Sequence, residues 1–193
     1  MQRNEIEQIA NDILRQFRIT NAPFTFIKEI CDHEQIVIKR TNFSFSMDGG
    51  FWASDNFKVL FYNPNMPVAR QNFTKAHELG HYYLKHYLCE ENMISCSNLS
   101  SDGNTTVSVP HIETEANYFA TYFLMPQHMV QKEYQIITGV WGIDTTRKLY
   151  VDRQPDNLKR WNMVYNHFKN RFGVSQAALG YRLDSLGLIC YKM

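Results

Sequence analysis

The chain has 193 residues, 44% apolar and 14% aromatic, enough to bury one core or a core plus a small appendage. Twenty Lys and Arg against 19 Asp and Glu leave a net charge of +1, so global electrostatics argue neither for nor against a nucleic-acid partner. No apolar run approaches about 18 residues, and residues 1–18 carry charges instead of an apolar leader, which excludes a membrane span and predicts a cytoplasmic chain.

Isoleucines 6, 9 and 13 with Ala10, Leu14 and Phe17 fall at helical spacing and predict an amphipathic helix over 4–17. Pro23 opens a second, shorter helix through Ile30. Gln35 to Lys39 is a strand candidate. Asp48-Gly49-Gly50 reads as a turn before a strand at Phe51-Trp52-Ala53, and Lys58 to Tyr62 is a third strand, spaced to make an antiparallel hairpin with it. A helix is expected from Val68 or Gln71 to Tyr87, with Phe73, Ala76, Gly80, Leu84 and Tyr87 as its core stripe. Residues 92–108 read as a long polar loop. A helix over Ile112–Met125 stops at Pro126. Gln127–Tyr134 and Asp144–Val151 are expected to be helical, with a break around Gly139, Trp141 and Gly142. Asp156–Phe172 is helical, and Ser175 caps a last helix from Gln176 to Leu186. The four cysteines (Cys31, Cys89, Cys96, Cys190) lack C-x-x-C spacing and read as cytosolic thiols.

One stretch carries chemistry. His77-Glu78-Leu79-Gly80-His81 places two imidazoles one turn apart on one helix face, where both can reach one metal ion, and Glu78 beside them can act as a general base. A catalytic zinc takes a third protein ligand. The acidic helix after residue 111 supplies two candidates. Glu113 shares a face with Ala116 and Ala120, whose small side chains permit close approach to Gly80; Glu115 suits solvent better. Asn117, one turn after Glu113, can fix the tautomer of a ligand histidine. Gly80 in mid-helix costs about 1 kcal/mol relative to Ala and is explained by close approach of another backbone. His86 and His111 read as surface histidines, and His33, His128 and His167 carry no argument. The substrate backbone of such an enzyme would add beside the sheet near Phe51–Ala53; Trp52 could touch it, although core packing suits that residue better.

Phe73-Thr74-Lys75-Ala76-His77-Glu78-Leu79-Gly80-His81-Tyr82, followed by Ile112-Glu113-Thr114-Glu115-Ala116-Asn117-Tyr118-Phe119-Ala120 and Leu124-Met125-Pro126, resembles the ImmA/IrrE family of zinc peptidases. The resemblance extends from the strands at 50–63 to the tail at 171–188. It implies an α+β, zincin-like fold with a small antiparallel-containing sheet packed on helices. It implies an intracellular Zn2+ endopeptidase that cleaves a specific helix-turn-helix repressor or antitoxin-like DNA-binding protein in a phage, mobile-element or stress switch. His77, His81 and Glu113 would bind the metal and Glu78 would be catalytic. The C-terminal sensor domain of some relatives is not expected here, since the sequence stops soon after Leu188. The expected organisation is a peptidase domain over 1–135 and a C-terminal helical extension over 136–193 packed on it.

Two rival readings remain. Phe172 to Leu183 has a helix-turn-helix cadence within a mildly basic region (Lys159, Arg160, Lys169, Arg171, Arg182), which suggests a DNA- or partner-binding regulator with a structural or inactive zinc site. Gln176, Ala177 and Gly180 offer few base-reading donors, so packing of Val174, Ala178, Leu179, Leu183 and Leu186 onto the body is preferred. The other rival is a zinc-binding scaffold that inhibits without turnover.

Overall fold

The structure, a computed structural model, describes residues 1–42, 48–54, 56–88, 93–96, 110–143 and 148–191. Helix α1 (Arg3–Gln16) buries Ile6, Ala10, Ile13 and Leu14, the stripe its 3.6-residue period predicts. Pro23–Phe26 forms a single 3-10 turn, and α2 (Ile27–His33) follows it. Three five-residue strands come next: β1 (Ile36–Arg40), β2 (Gly49–Ala53) and β3 (Lys58–Tyr62). Both glycines assigned to a turn are thus already in β2.

The sheet is mixed. β3 pairs in parallel with β1 and antiparallel with β2, so the expected hairpin forms. A fourth strand, β4 (Met93–Cys96), lies within the stretch expected to be loop and pairs antiparallel with β2. The rest of that stretch lies outside the described residues. β2 therefore has neighbours on both sides from Gly49 to Trp52, and Phe51 and Trp52 offer no free edge for an added strand. The edge on that side is β4. Phe51 and Leu60 are register partners that point to the core, both almost fully buried. Trp52 pairs with Val59 on the opposite face, half-buried and edge-on to Phe57, so it does not join the main core.

Helix α3 (Val68–Tyr83) packs on β2 and β3, with α4 (Pro110–Leu124) against it and α1 behind α4. Being covered on both sides, α3 buries Thr74 and every residue from Ala76 to His81, a wider band than one stripe. Burying Leu79 completely is worth about 2 kcal/mol. Gly80 is explained by a side chain, where a backbone was expected. A methyl there would sit 3.1–3.2 Å from the Cβ and ring of Phe119 on α4.

Helix α5 (Gln127–Val140) runs past the expected end at Tyr134 and stops at Trp141–Gly142. The helix expected over Asp144–Val151 is not found where the structure is described: Leu149–Val151 is strand β5, and residues 144–147 lie outside the described residues. After α6 (Pro155–Phe172) and α7 (Gln176–Ser185), Ile189–Tyr191 forms β6 and pairs in parallel with β5. Gly173, at φ +64°, makes the left-handed turn between α6 and α7, and the Ser175 hydroxyl accepts from the Ala178 amide to cap α7. Val174, Leu179 and Leu183 belong to the same contiguous core as α1, α3 and α4. Cys31 and Cys190 are free thiols. Among the described residues no helix is long and apolar enough to cross a membrane.

Candidate metal centre

α3 and α4 pack against each other, and their facing sides bring His77, His81 and Glu113 together, each offering one ligand atom within 4.8 Å of the others. The Nε2 atoms of His77 and His81 are 2.9 Å apart. Glu113 places Oε2 3.2 Å from His77 Nε2 and Oε1 3.6 Å from His81 Nε2. Donors about 2.05 Å from a tetrahedral zinc are about 3.3 Å from each other, and the contacts among the two imidazoles and the two Glu113 oxygens, 2.9 to 3.6 Å, bracket that spacing.

The hydrogen-bond network assigns the imidazole tautomers. His77 Nδ1 lies 3.0 Å from Asn117 Oδ1, an acceptor, so Nδ1 carries the proton and Nε2 turns a lone pair to the triangle. Asn117 thus sits where the sequence placed it. His81 Nδ1 lies 3.0 Å from His86 Nδ1, and His86 Nε2 lies 3.1 Å from Glu115 Oε2. Burial, only partly offset by Glu115, holds His86 below the usual histidine range and favours the neutral ring, whose Nε2–H donates to the carboxylate. Its Nδ1 is then an acceptor, His81 Nδ1 is the donor, and His81 Nε2 too is left with a lone pair.

Electrostatics suit a cation. At His77 burial disfavours the imidazolium, yet the Glu113 hydrogen bond and the charges of Glu78 and Glu113 outweigh it and raise the pKa. His81 is held well below the usual range by burial and by His77 and His86. The pocket favours one positive charge between the two rings and disfavours a second proton, the balance a divalent ion would satisfy by displacing protons.

Glu78 is fully buried, with its carboxylate turned towards the start of β2. A methyl on Gly49 would collide with Thr74 Cγ2, approach the Phe61 carbonyl to 2.7 Å and lie 3.3 Å from Glu78 Oε1. That glycine leaves the space the carboxylate occupies.

Two expectations are corrected here. His86 is buried, 5% exposed, and supports His81. Glu115 is also withdrawn from solvent, held between His86 and the chain's amino terminus. His33, His111 and His128 are exposed, and His167 pairs with Glu133. The signal that could have exposed His86 is weak: Lys85 adopts φ +59° and turns the chain back under His81, a conformation no glycine announces.

Residues 31–138 match the IrrE N-terminal-like domain, a peptidase family. Metallopeptidase ImmA of Bacillus subtilis (strain 168) is 28% identical over 113 residues, which are 58% of this chain and 62% of that protein. The chain thus spans less than two thirds of the length of this curated relative.

Proposed function

The chain belongs to the IrrE N-terminal-like family of peptidases, the ImmA/IrrE family, and from that premise we propose that it is a zinc-dependent endopeptidase of zincin-like design. Its substrate on this reading is a helix-turn-helix repressor or antitoxin-like DNA-binding protein, cleaved in the cytoplasm. The observation that carries the proposal is the His77–His81–Glu113 donor triangle with the buried Glu78 carboxylate on the same turn of helix. Zinc held there supplies Lewis acidity towards a peptide carbonyl and lowers the pKa of water. Glu78 takes a proton from the attacking water as its oxygen bonds to the carbonyl carbon. It delivers that proton to the nitrogen as the C–N bond breaks. Asn117 and His86 hold the two imidazoles in the tautomer and orientation this needs.

In this reading residues 1–135 form the peptidase unit and 136–193 an extension packed on it. The helix-turn-helix reading of that extension draws on the Gly173 turn and the Ser175 cap. It is weakened because Arg182 is 3% exposed and Arg171 is paired with Glu133.

The test is incubation of the zinc-loaded protein with candidate helix-turn-helix repressors, any encoded beside its own gene first, with and without a chelator. Wild type cuts and the chelator stops it. Glu78→Gln keeps its zinc but loses about 100-fold or more in rate. A Glu78→Gln protein that cuts as fast as wild type refutes the proposed role of this carboxylate.

A further inference from the structure

A second feature lies against the metal centre. Phe73 stands one turn before His77 on the same face of α3, with ring centroids 6.4 Å apart. It forms one wall of a cavity of about 610 Å³ that continues between α4 and α7. Asn117, the residue that orients His77, is part of the opposite wall. Beyond it Tyr118 and Tyr122 are stacked 6.1 Å apart. Across from that stack, α7 contributes Ala178, which leaves the space open, and Tyr181, 78% exposed at the mouth.

We propose that this cavity is the substrate subsite next to the metal centre and that it takes a large apolar side chain, aromatic or long aliphatic. The inference rests on the peptidase reading given above. Three observations carry it. The volume falls in the range of pockets that enclose a small organic group. The lining is mostly aromatic and small apolar or hydroxyl side chains, and its two cations lie on other partners, Arg3 over the Tyr118 ring at 4.4 Å and Arg70 paired with Asp48. Tyrosine rings present apolar area at low entropic cost, which explains an aromatic residue as exposed as Tyr181. On this assignment α7 forms a wall of the substrate cleft.

The test combines turnover with binding. A peptide library digested by the zinc-loaded protein should show a preference for Phe, Leu or Met over Ala at one position beside the cut bond, about 10-fold or more in kcat/KM. Ala178→Trp, which fills the cavity, should abolish that preference, and Tyr181→Ala, at an exposed position that does not threaten folding, should weaken it. Neither should change zinc affinity. Independently of metal and turnover, N-acetyl-phenylalanine amide should shift the methyl resonances of Ala177 and Ala178, and N-acetyl-alanine amide should not. Cleavage whose preference ignores both substitutions overturns the subsite and leaves the peptidase standing. Binding of the phenylalanine probe without cleavage of any peptide or repressor supports the cavity as an apolar-side-chain site and overturns the peptidase reading.

Discussion

His86 Nδ1 lies 3.0 Å from His81 Nδ1, and this contact makes the second histidine of the motif a directed lone pair. His86 is not one of the three residues that offer a ligand atom and acts through the His81 ring, so its effect is on orientation. His86→Ala is expected to lower metal affinity about 10- to 100-fold, the usual consequence of losing a group that orients a ligand. Far-ultraviolet circular dichroism should be unchanged. Titration against a competing chelator measures the affinity. Unchanged affinity would mean that the contact only fills space.

Gly49 and Glu78 form a second coupled pair. Gly49→Ala pushes a methyl against the Phe61 carbonyl and Thr74 and crowds the Glu78 carboxylate. The expected cost is about 1–3 kcal/mol of stability, read as a lower midpoint in thermal unfolding. Cleavage should fall further than stability accounts for, while zinc binding persists because neither His77 nor His81 is displaced. Equal activity per folded molecule would separate Gly49 from the Glu78 site.

Much of this arrangement was legible in the sequence, and the exceptions have physical causes. Helices α1, α3, α4 and α6 carry enough turns for a 3.6-residue period to emerge, and β3 is bounded on both sides by turn residues. The meeting of His77, His81 and Glu113 was legible because one motif and one helix face place them together. β5 and β6 were not, because three residues show no period and their partners lie forty residues apart. Leu149-Tyr150-Val151 therefore read as the end of a helix. His86 was missed because its burial depends on a positive φ at Lys85, and Glu115 because its partner is that same histidine. Gly80 was noticed, but only tertiary structure names Phe119 as its neighbour.

Glu34 predicts a pH dependence. Tyr82 and Tyr83, the last residues of α3, donate to its two carboxylate oxygens at 2.7 and 3.2 Å. Burial alone would raise its pKa, but the hydrogen bonds from Tyr82, His33 and Tyr83 outweigh it and the value is lowered. A carboxyl with a depressed folded pKa contributes stability above its unfolded value, near 4.5. That contribution is lost as pH falls through the folded value. Denaturant titrations across the acid range should show wild type losing stability there faster than Glu34→Gln. At neutral pH the variant should be less stable by about 1–3 kcal/mol. Parallel curves for the two proteins would rule out this clamp on the end of the motif helix.

Arg182 ties the C-terminal helices to the elements that carry the metal centre. It is 3% exposed; its Nε donates to the Met125 carbonyl at the end of α4 at 3.0 Å, and its Nη2 donates to Glu7 on α1 at 2.8 Å. Its guanidinium also lies 4.8 Å from the centroid of the Tyr122 ring. Removing one partner of a buried ion pair costs about 3–5 kcal/mol, and Glu7, a quarter exposed, brings the expectation for Arg182→Ala to about 2–4 kcal/mol. Lysine should not restore it, because a single ammonium cannot serve a carbonyl, a carboxylate and a ring face in this fixed geometry. Since α7 shares one core with α1, α3 and α4, the loss should appear as an earlier single transition. A double-mutant cycle with Glu7→Gln should recover a coupling of about 1–3 kcal/mol. Two separate transitions, with only the later residues released first, would instead show that residues 136–193 fold independently of the metal centre.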